Sequence, residues 1–136
     1  MSTVDFPTAF AALIAAHQVA DHWVQTQRQA DRKGLPGWPG RIACAAHVAT
    51  YTLTAVAALA LVAAVTGWRP DPGAVAVGLA VSAVSHYIAD RRAPLRWLAD
   101  RLGKSPAWLE RGGGMYALDQ SWHVGWLFVA ALICAV

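Results

Sequence analysis

The sequence predicts an all-α membrane protein: a bundle of four transmembrane helices with a short amphipathic cytoplasmic segment between the third and the fourth. Three observations carry that prediction. Of 136 residues, 57% are hydrophobic and 14% charged, and the mean hydropathy is +0.38, a balance far more apolar than an ordinary soluble domain of this size carries. Four apolar stretches, at about 6–27, 41–66, 74–91 and 115–136, approach the roughly 20 residues a helix needs to cross about 30 Å of hydrocarbon. Short connections rich in glycine, proline and basic residues separate them, with no composition shift that marks a second domain, so residues 1–136 read as a single membrane domain. A soluble four-helix bundle with unusually apolar helices is the competing reading, because the first stretch turns polar toward its C-terminal end and the third is short.

The first stretch opens without a basic region, lacks a small-residue cleavage site and contains His17 and Asp21, so it is expected to persist rather than be removed as a signal peptide. The connection after it gathers Arg28, Arg32, Lys33 and Arg41 around a turn built from Gly34, Pro36, Gly37, Pro39 and Gly40, with Trp38 placed among headgroups. The second stretch holds His47, with Tyr51 one turn on. Only Arg69 lies between the second and third stretches. Ser82, His86 and Asp90 follow at successive turns of the third. In the next connection Leu95, Leu98 and Leu102 recur at helical spacing beside Arg96, Asp100 and Arg101, as in a helix lying on a membrane surface, with Trp97 as an anchor. Ser105-Pro106 resembles a helix start, and the short turn it begins ends at Gly112-Gly113-Gly114. The 94–114 segment reads either as a lid over a polar pocket or as an ordinary joint.

Arg91, Arg92, Arg96, Arg101, Lys104 and Arg111 fill this third connection. By the positive-inside rule the first and third connections are cytoplasmic, and both termini lie outside an inner, cytoplasmic membrane. The formal charge of +3 is then explained by orientation and by anionic headgroups, and gives no reason to invoke nucleic acid. Cys44 and Cys134 fall on opposite sides of the bilayer in this topology, which argues against a disulfide.

Three stretches pair an aspartate and a histidine four residues apart: His17/Asp21, His86/Asp90 and Asp119/His123. Ionisable residues inside apolar helices are costly and mark functional sites. Residues four apart share a helix face, and alternate helices run in opposite directions, so the reversed order in the last pair gives all three the same vertical sense. The expected result is a deeper histidine layer, including His47, and a shallower carboxylate layer open to the cytoplasm. Imidazole and carboxylate suit zinc, iron and manganese, and helical bundles project such ligands inward around one or two ions. Calcium and magnesium fit histidine poorly. The alternative for each pair is a hydrogen-bonded, mutually compensated couple with no ligand. His22 points away and reads as a bystander. Gln25 continues the His17/Asp21 stripe, Gln120 faces elsewhere, and Tyr51, Ser82, Trp122 and Trp126 read as packing residues.

The pattern His17-x-x-x-Asp21-x-x-x-Gln25, then His47 and Tyr51, then His86-Tyr-Ile-Ala-Asp90, then Asp119-Gln120-x-x-His123 resembles an uncharacterised family of small bacterial and phage membrane proteins, domain of unknown function 3307. More distantly it is similar to membrane-bound metal-dependent hydrolases. The first resemblance implies a shared polar site without fixing its reaction.

The residues thus lead to an expected metal-dependent hydrolase, with zinc favoured over iron or manganese, acting on a lipid-linked or membrane-associated small molecule. His17, Asp21, His47, His86, Asp90, Asp119 and His123 are the expected metal ligands. Asp21, Asp90 and Asp119 are the expected catalytic carboxylates, and Arg91 and Arg92 are placed to attract a phosphate-bearing headgroup. A non-haem di-iron oxidoreductase and a non-enzymatic metal or proton carrier are the alternatives. Ala- and Gly-rich faces leave room for a homodimer in the bilayer.

Overall fold

A computed structural model describes residues 5–136. It contains α1 (Asp5–Val19), a π-helical turn (Ala20–Val24), α2 (Gln27–Arg32), α3 (Gly37–Thr66), α4 (Pro72–Asp90), α5 (Ala93–Arg101), α6 (Pro106–Arg111) and α7 (Gly114–Cys134). No strand occurs among the described residues, as the all-α prediction requires. The four longest helices close a ring: α1 packs on α3 and α7, and α4 packs on the same two helices. α2 rests on α3, while α5 and α6 lie against α7.

One half of the ring's core is dry. Ala9, Leu13 and Ala16 of α1 meet Ala55 and Leu59 of α3 and Leu127, Ala130 and Ala131 of α7, all buried. Phe6, Phe10 and Phe128 close that end with ring centroids 5.1–5.8 Å apart. Small residues allow near contact of backbones. At Gly78 of α4, a methyl group would stand 2.5 Å from Cys134 Sγ and 2.8 Å from the Ala130 carbonyl oxygen of α7.

Three of the described helices, α3, α4 and α7, are long and apolar enough to cross a membrane, rather than the four expected. Their outward faces carry Ile42, Leu53, Leu61, Val65 and Val84, each more than half exposed. The first helix falls short because its α-helical part has 15 residues, a rise of about 22 Å. It then widens into the π turn, where Asp21 and His22 follow in sequence.

The first connection also differs from a simple turn, since it holds α2. Thr26 caps that helix: its hydroxyl accepts from the Gln29 amide at 3.2 Å, and its own amide donates to Gln29 Oε1 at 2.8 Å, a capping box. α3 starts at Gly37, so Trp38, Pro39 and Gly40 belong to its first turn. α5 follows the expected amphipathic pattern only in part: it buries Leu95 and Ala99, half-buries Leu98 and exposes Trp97, whereas Leu102, expected on the apolar face, is the C-cap residue and is exposed. Ser105 stands at the N-cap of α6, although its side chain makes no capping bond. Trp108 of α6 lies over Gly114, where a methyl group would stand 2.5 Å from the indole. Arg41, Arg101 and Lys104 sit over the rings of Trp38, Trp97 and Trp108 at 5.5, 5.2 and 5.9 Å, cation–π pairs of the kind that suits an interface. Cys44 and Cys134 are both free and buried.

Candidate metal centre

Each helix of the ring contributes one histidine to its other half: His17 from α1, His47 from α3, His86 from α4 and His123 from α7, none more than 3% exposed. Antiparallel neighbours make this possible, because the histidines sit late in α1 and α4 and earlier in α3 and α7. Three carboxylates join them: Asp21 from the π turn, Asp90 from the last position of α4, and Asp119 from α7. The π turn is closed by a Gln25 amide donating to the Ala20 carbonyl at 2.8 Å, five residues back. Such widened turns are frequent at functional sites, and here the turn delivers Asp21 to within 3.3 Å of His47 across the helix pair.

The tightest cluster centres on His47 and His86, whose Nε2 atoms are 3.0 Å apart. Asp21 Oδ1 lies 3.3 Å from the first and 3.6 Å from the second. Asp90 Oδ2 lies 3.4 and 3.3 Å from the same two atoms. Two triangles of donor atoms thus share the His47–His86 edge. Around an ion with bonds of about 2.0–2.2 Å, neighbouring donors stand roughly 3 Å apart, so either triangle has the span of part of a coordination shell. Two further triads, His17/His86/His123 and Asp90/Asp119/His123, each bring one ligand atom per residue within 4.8 Å of the others.

Protein groups alone do not satisfy this cluster. If His47 Nε2 donates to His86 Nε2, the remaining proton of His86 sits on Nδ1, which has no partner, and reversing the roles strands His47 Nδ1 instead. Among the described residues, the buried side-chain polar atoms lacking a hydrogen bond are His17 Nε2, Asp21 Oδ1, Gln25 Nε2, His47 Nδ1, His86 Nδ1, Asp90 Oδ2 and His123 Nε2. All belong to this site or its edge. Unsatisfied buried groups each cost about 1–3 kcal/mol, and their convergence is what a ligand-binding centre leaves when described without its ligand. The chemistry and spacing of these donors fit a divalent transition metal.

A cavity of about 660 Å³ opens onto the carboxylates. Asp21, Asp90 and Asp119 line it, together with Gln25, Lys33 and Arg92, and none of the four central histidines does. The carboxylates therefore stand between the cavity and the histidines. His123 is fixed from its own helix, its Nδ1 2.7 Å from the Asp119 carbonyl oxygen. Tyr51 and Ser82 hydrogen-bond to each other, and the Tyr51 ring lies 4.2 Å from that of His86, so both pack behind the site. Trp122 Nε1 donates to the Ser85 carbonyl at 3.0 Å, tying α7 to α4.

Some roles differ from the sequence expectation. Gln120 does not face away from the site: its amide donates to Asp119 Oδ2 at 3.2 Å. His22 is exposed and sits 3.0 Å from its own helix's Gln18 carbonyl, yet it lines the cavity. Lys33, read from sequence as a topological charge, reaches Asp90 Oδ1 at 2.7 Å. Arg91 donates to the Lys33 and Leu35 carbonyls, both at 2.6 Å, and so secures the turn that carries Lys33.

The family model for a protein of unknown function, DUF3307, matches residues 9–136. The chain belongs to the DUF3307 family. No curated protein and no solved structure matches it. The DUF3307 match runs from within α1 to the last residue of the chain, so it takes in all seven of the histidines and aspartates described above.

Proposed function

We propose that this chain is a metal-dependent membrane enzyme, a hydrolase that acts on a lipid-linked or membrane-associated substrate entering through the 660 Å³ cavity. The observation that carries the reading is the pair of donor triangles sharing the His47–His86 edge, with sides of 3.0–3.6 Å and with Nδ1 of both histidines left without a hydrogen bond. Mixed imidazole and carboxylate donors favour zinc, with iron and manganese accommodated by the same set. His47 and His86 with Asp21 or Asp90 would hold a first ion, and His17 and His123 extend the donor set for a second. A bound divalent ion supplies an activated water, its pKa lowered from about 16 toward about 7, and polarises a carbonyl or phosphoryl oxygen.

The chain's own residues divide the remaining work. Asp21 lies at the cavity wall, its Oδ1 beside the two histidines but without a hydrogen bond, the position of a group that accepts a proton from an attacking water. Lys33 fixes the orientation of Asp90 through Oδ1, leaving Oδ2 directed at the two histidines. The basic residues of the first and third connections surround this end of the bundle, which by the positive-inside rule turns the cavity toward the cytoplasm of an inner membrane. A carrier would need polar access from both ends, whereas the opposite half of the core is filled by alanine, leucine and phenylalanine.

Metal content tests the reading. Untagged protein purified in mild detergent, assayed by inductively coupled plasma mass spectrometry, is expected to hold zinc or manganese at one or two ions per chain, and His47→Ala/His86→Ala to lose it. Iron in their place would turn the assignment to oxygen chemistry. Absence of any metal after reconstitution would overturn it.

A further inference from the structure

We infer that Arg92 is the anchor for a phosphoryl oxyanion of the ligand that occupies the metal-site cavity. The inference gives the proposed hydrolase a substrate class and rests on that reading for its chemistry, although the binding step stands without it.

The first observation is conformational. Five described residues have positive φ: Gly37, Gly67, Gly103, Gly113 and Arg92. Four are glycines, as the steric map demands. Arg92 alone keeps a side chain there, at φ 58° and ψ −44°, a conformation that ordinary residues adopt only under strain. The tight passage from α4 to α5 needs only a backbone that bends this way, which glycine would supply without strain. Arginine at this position therefore has a use for its side chain.

The second observation concerns which cations at the cavity or next to it in sequence are free. Arg91, the neighbour with the same sequence credentials, has its guanidinium engaged by two carbonyls of the 33–35 turn. Lys33 is paired with Asp90. Arg96 is bonded to Asp100 and Glu110, which push its guanidinium further above its already high ordinary value. Arg92 lines the same cavity, and its guanidinium makes no hydrogen bond or ion pair to any described residue.

The third observation is that the fold makes room for this side chain. Gly34 lies under its stem, where a methyl group would stand 2.8 Å from Arg92 Cδ and 3.3 Å from Cγ and Nε. The stem is thus supported at the wall while the guanidinium keeps its five donors. A planar fork of that kind matches two oxygens of a phosphate or phosphate ester. The facing carboxylates, Asp21, Asp90 and Asp119, repel such an anion unless cations offset them, so occupancy of the donor triangles should strengthen binding.

Calorimetric titration of the full chain in detergent, with and without one equivalent of zinc, tests this with two probes: inorganic phosphate and dihexanoyl phosphatidic acid. The native protein is expected to bind at least one, more tightly with zinc. A preference for the lipid identifies a headgroup as the source of the phosphate, and equal binding identifies a free phosphate. Arg92→Gly is expected to weaken binding at least tenfold while its thermal midpoint holds or rises, because the strain is released. Arg92→Lys, which keeps the charge without the fork, is expected to lose about threefold or more. Arg92→Gly binding within twofold of the native protein would overturn the inference, as would failure of the native protein to bind either probe. Should Arg92→Gly not fold, Arg92→Lys decides alone, and unchanged affinity there overturns it. Zinc uptake is measured in parallel, so Arg92-dependent binding without zinc uptake would remove the hydrolase and keep the anchor, and the reverse would do the opposite.

Discussion

Lys33 and Asp90 make the shortest ion pair of the site, at 2.7 Å, with the carboxylate 2% exposed and the lysine 12%. Removing one member of a buried pair leaves the other charged and unpaired, at a cost of about 3 kcal/mol or more, while removing both is far less harmful. Lys33→Met is therefore expected to lower the stability of the metal-free protein by about 3 kcal/mol, and Lys33→Met/Asp90→Asn to recover at least half of that loss, as read from thermal unfolding in detergent. A loss below about 0.5 kcal/mol in the single variant would show the pair to be of surface strength. At this scale the sequence was informative about the seven histidines and aspartates, because i,i+4 spacing and helix alternation are rules that act locally. It was uninformative about Lys33, which read only as a positive charge near a membrane, and it gave Arg91 and Arg92 one shared expectation, attraction of a phosphate-bearing headgroup. The separate fates of the three depend on the path of the 33–35 turn, which no periodicity encodes.

Among elements, α4 and α7 approach closely where Gly78 faces Ala130 and Cys134. A β-branched side chain there must push the helices apart or leave its rotamer, at about 1–3 kcal/mol and with displacement of His86 relative to His123. Gly78→Val is expected to lower the thermal midpoint and weaken zinc affinity together, although it touches no ligand; unchanged values for both would mean that the helix pair yields at no cost. The helices themselves were legible as apolar runs. The π turn was not, since widening by one residue leaves no mark on hydropathy, and a continuous first helix to about residue 27 was the natural expectation. The α2 helix did carry a signal: Thr26-x-x-Gln29 is a capping box in the sequence, obscured by its place directly after an apolar stretch.

At the scale of the whole molecule, the ring divides into a dry half that holds the helices together and a polar half that holds them in tension. Four helices each place a histidine in the polar half, so ions held by the proposed donor sets would link all of them and favour the folded state. Zinc at 100 times its dissociation constant is expected to stabilise the protein by about 2.7 kcal/mol. A dose-dependent rise in the thermal midpoint, reversed by chelator and absent in His47→Ala/His86→Ala, is the measurement; a midpoint indifferent to zinc would mean that the folded chain does not bind it preferentially. The all-α ring was foreseeable from composition and spacing, whereas the number of spanning helices was not, because length alone separates α1 from the other three.

The shortness of α1 bears on how the molecule is made. A 15-residue helix ending beside a buried histidine and an aspartate has little reason to partition into a bilayer by itself. Ala9, Ala12, Leu13 and Ala16 are covered within the ring by α3 and α7, so any entry of α1 into a bilayer would follow from docking on helices long and apolar enough to span one. For this chain, biogenesis and tertiary folding would then be one event, because α1 leaves the ribosome before the α3 and α7 helices on which it docks.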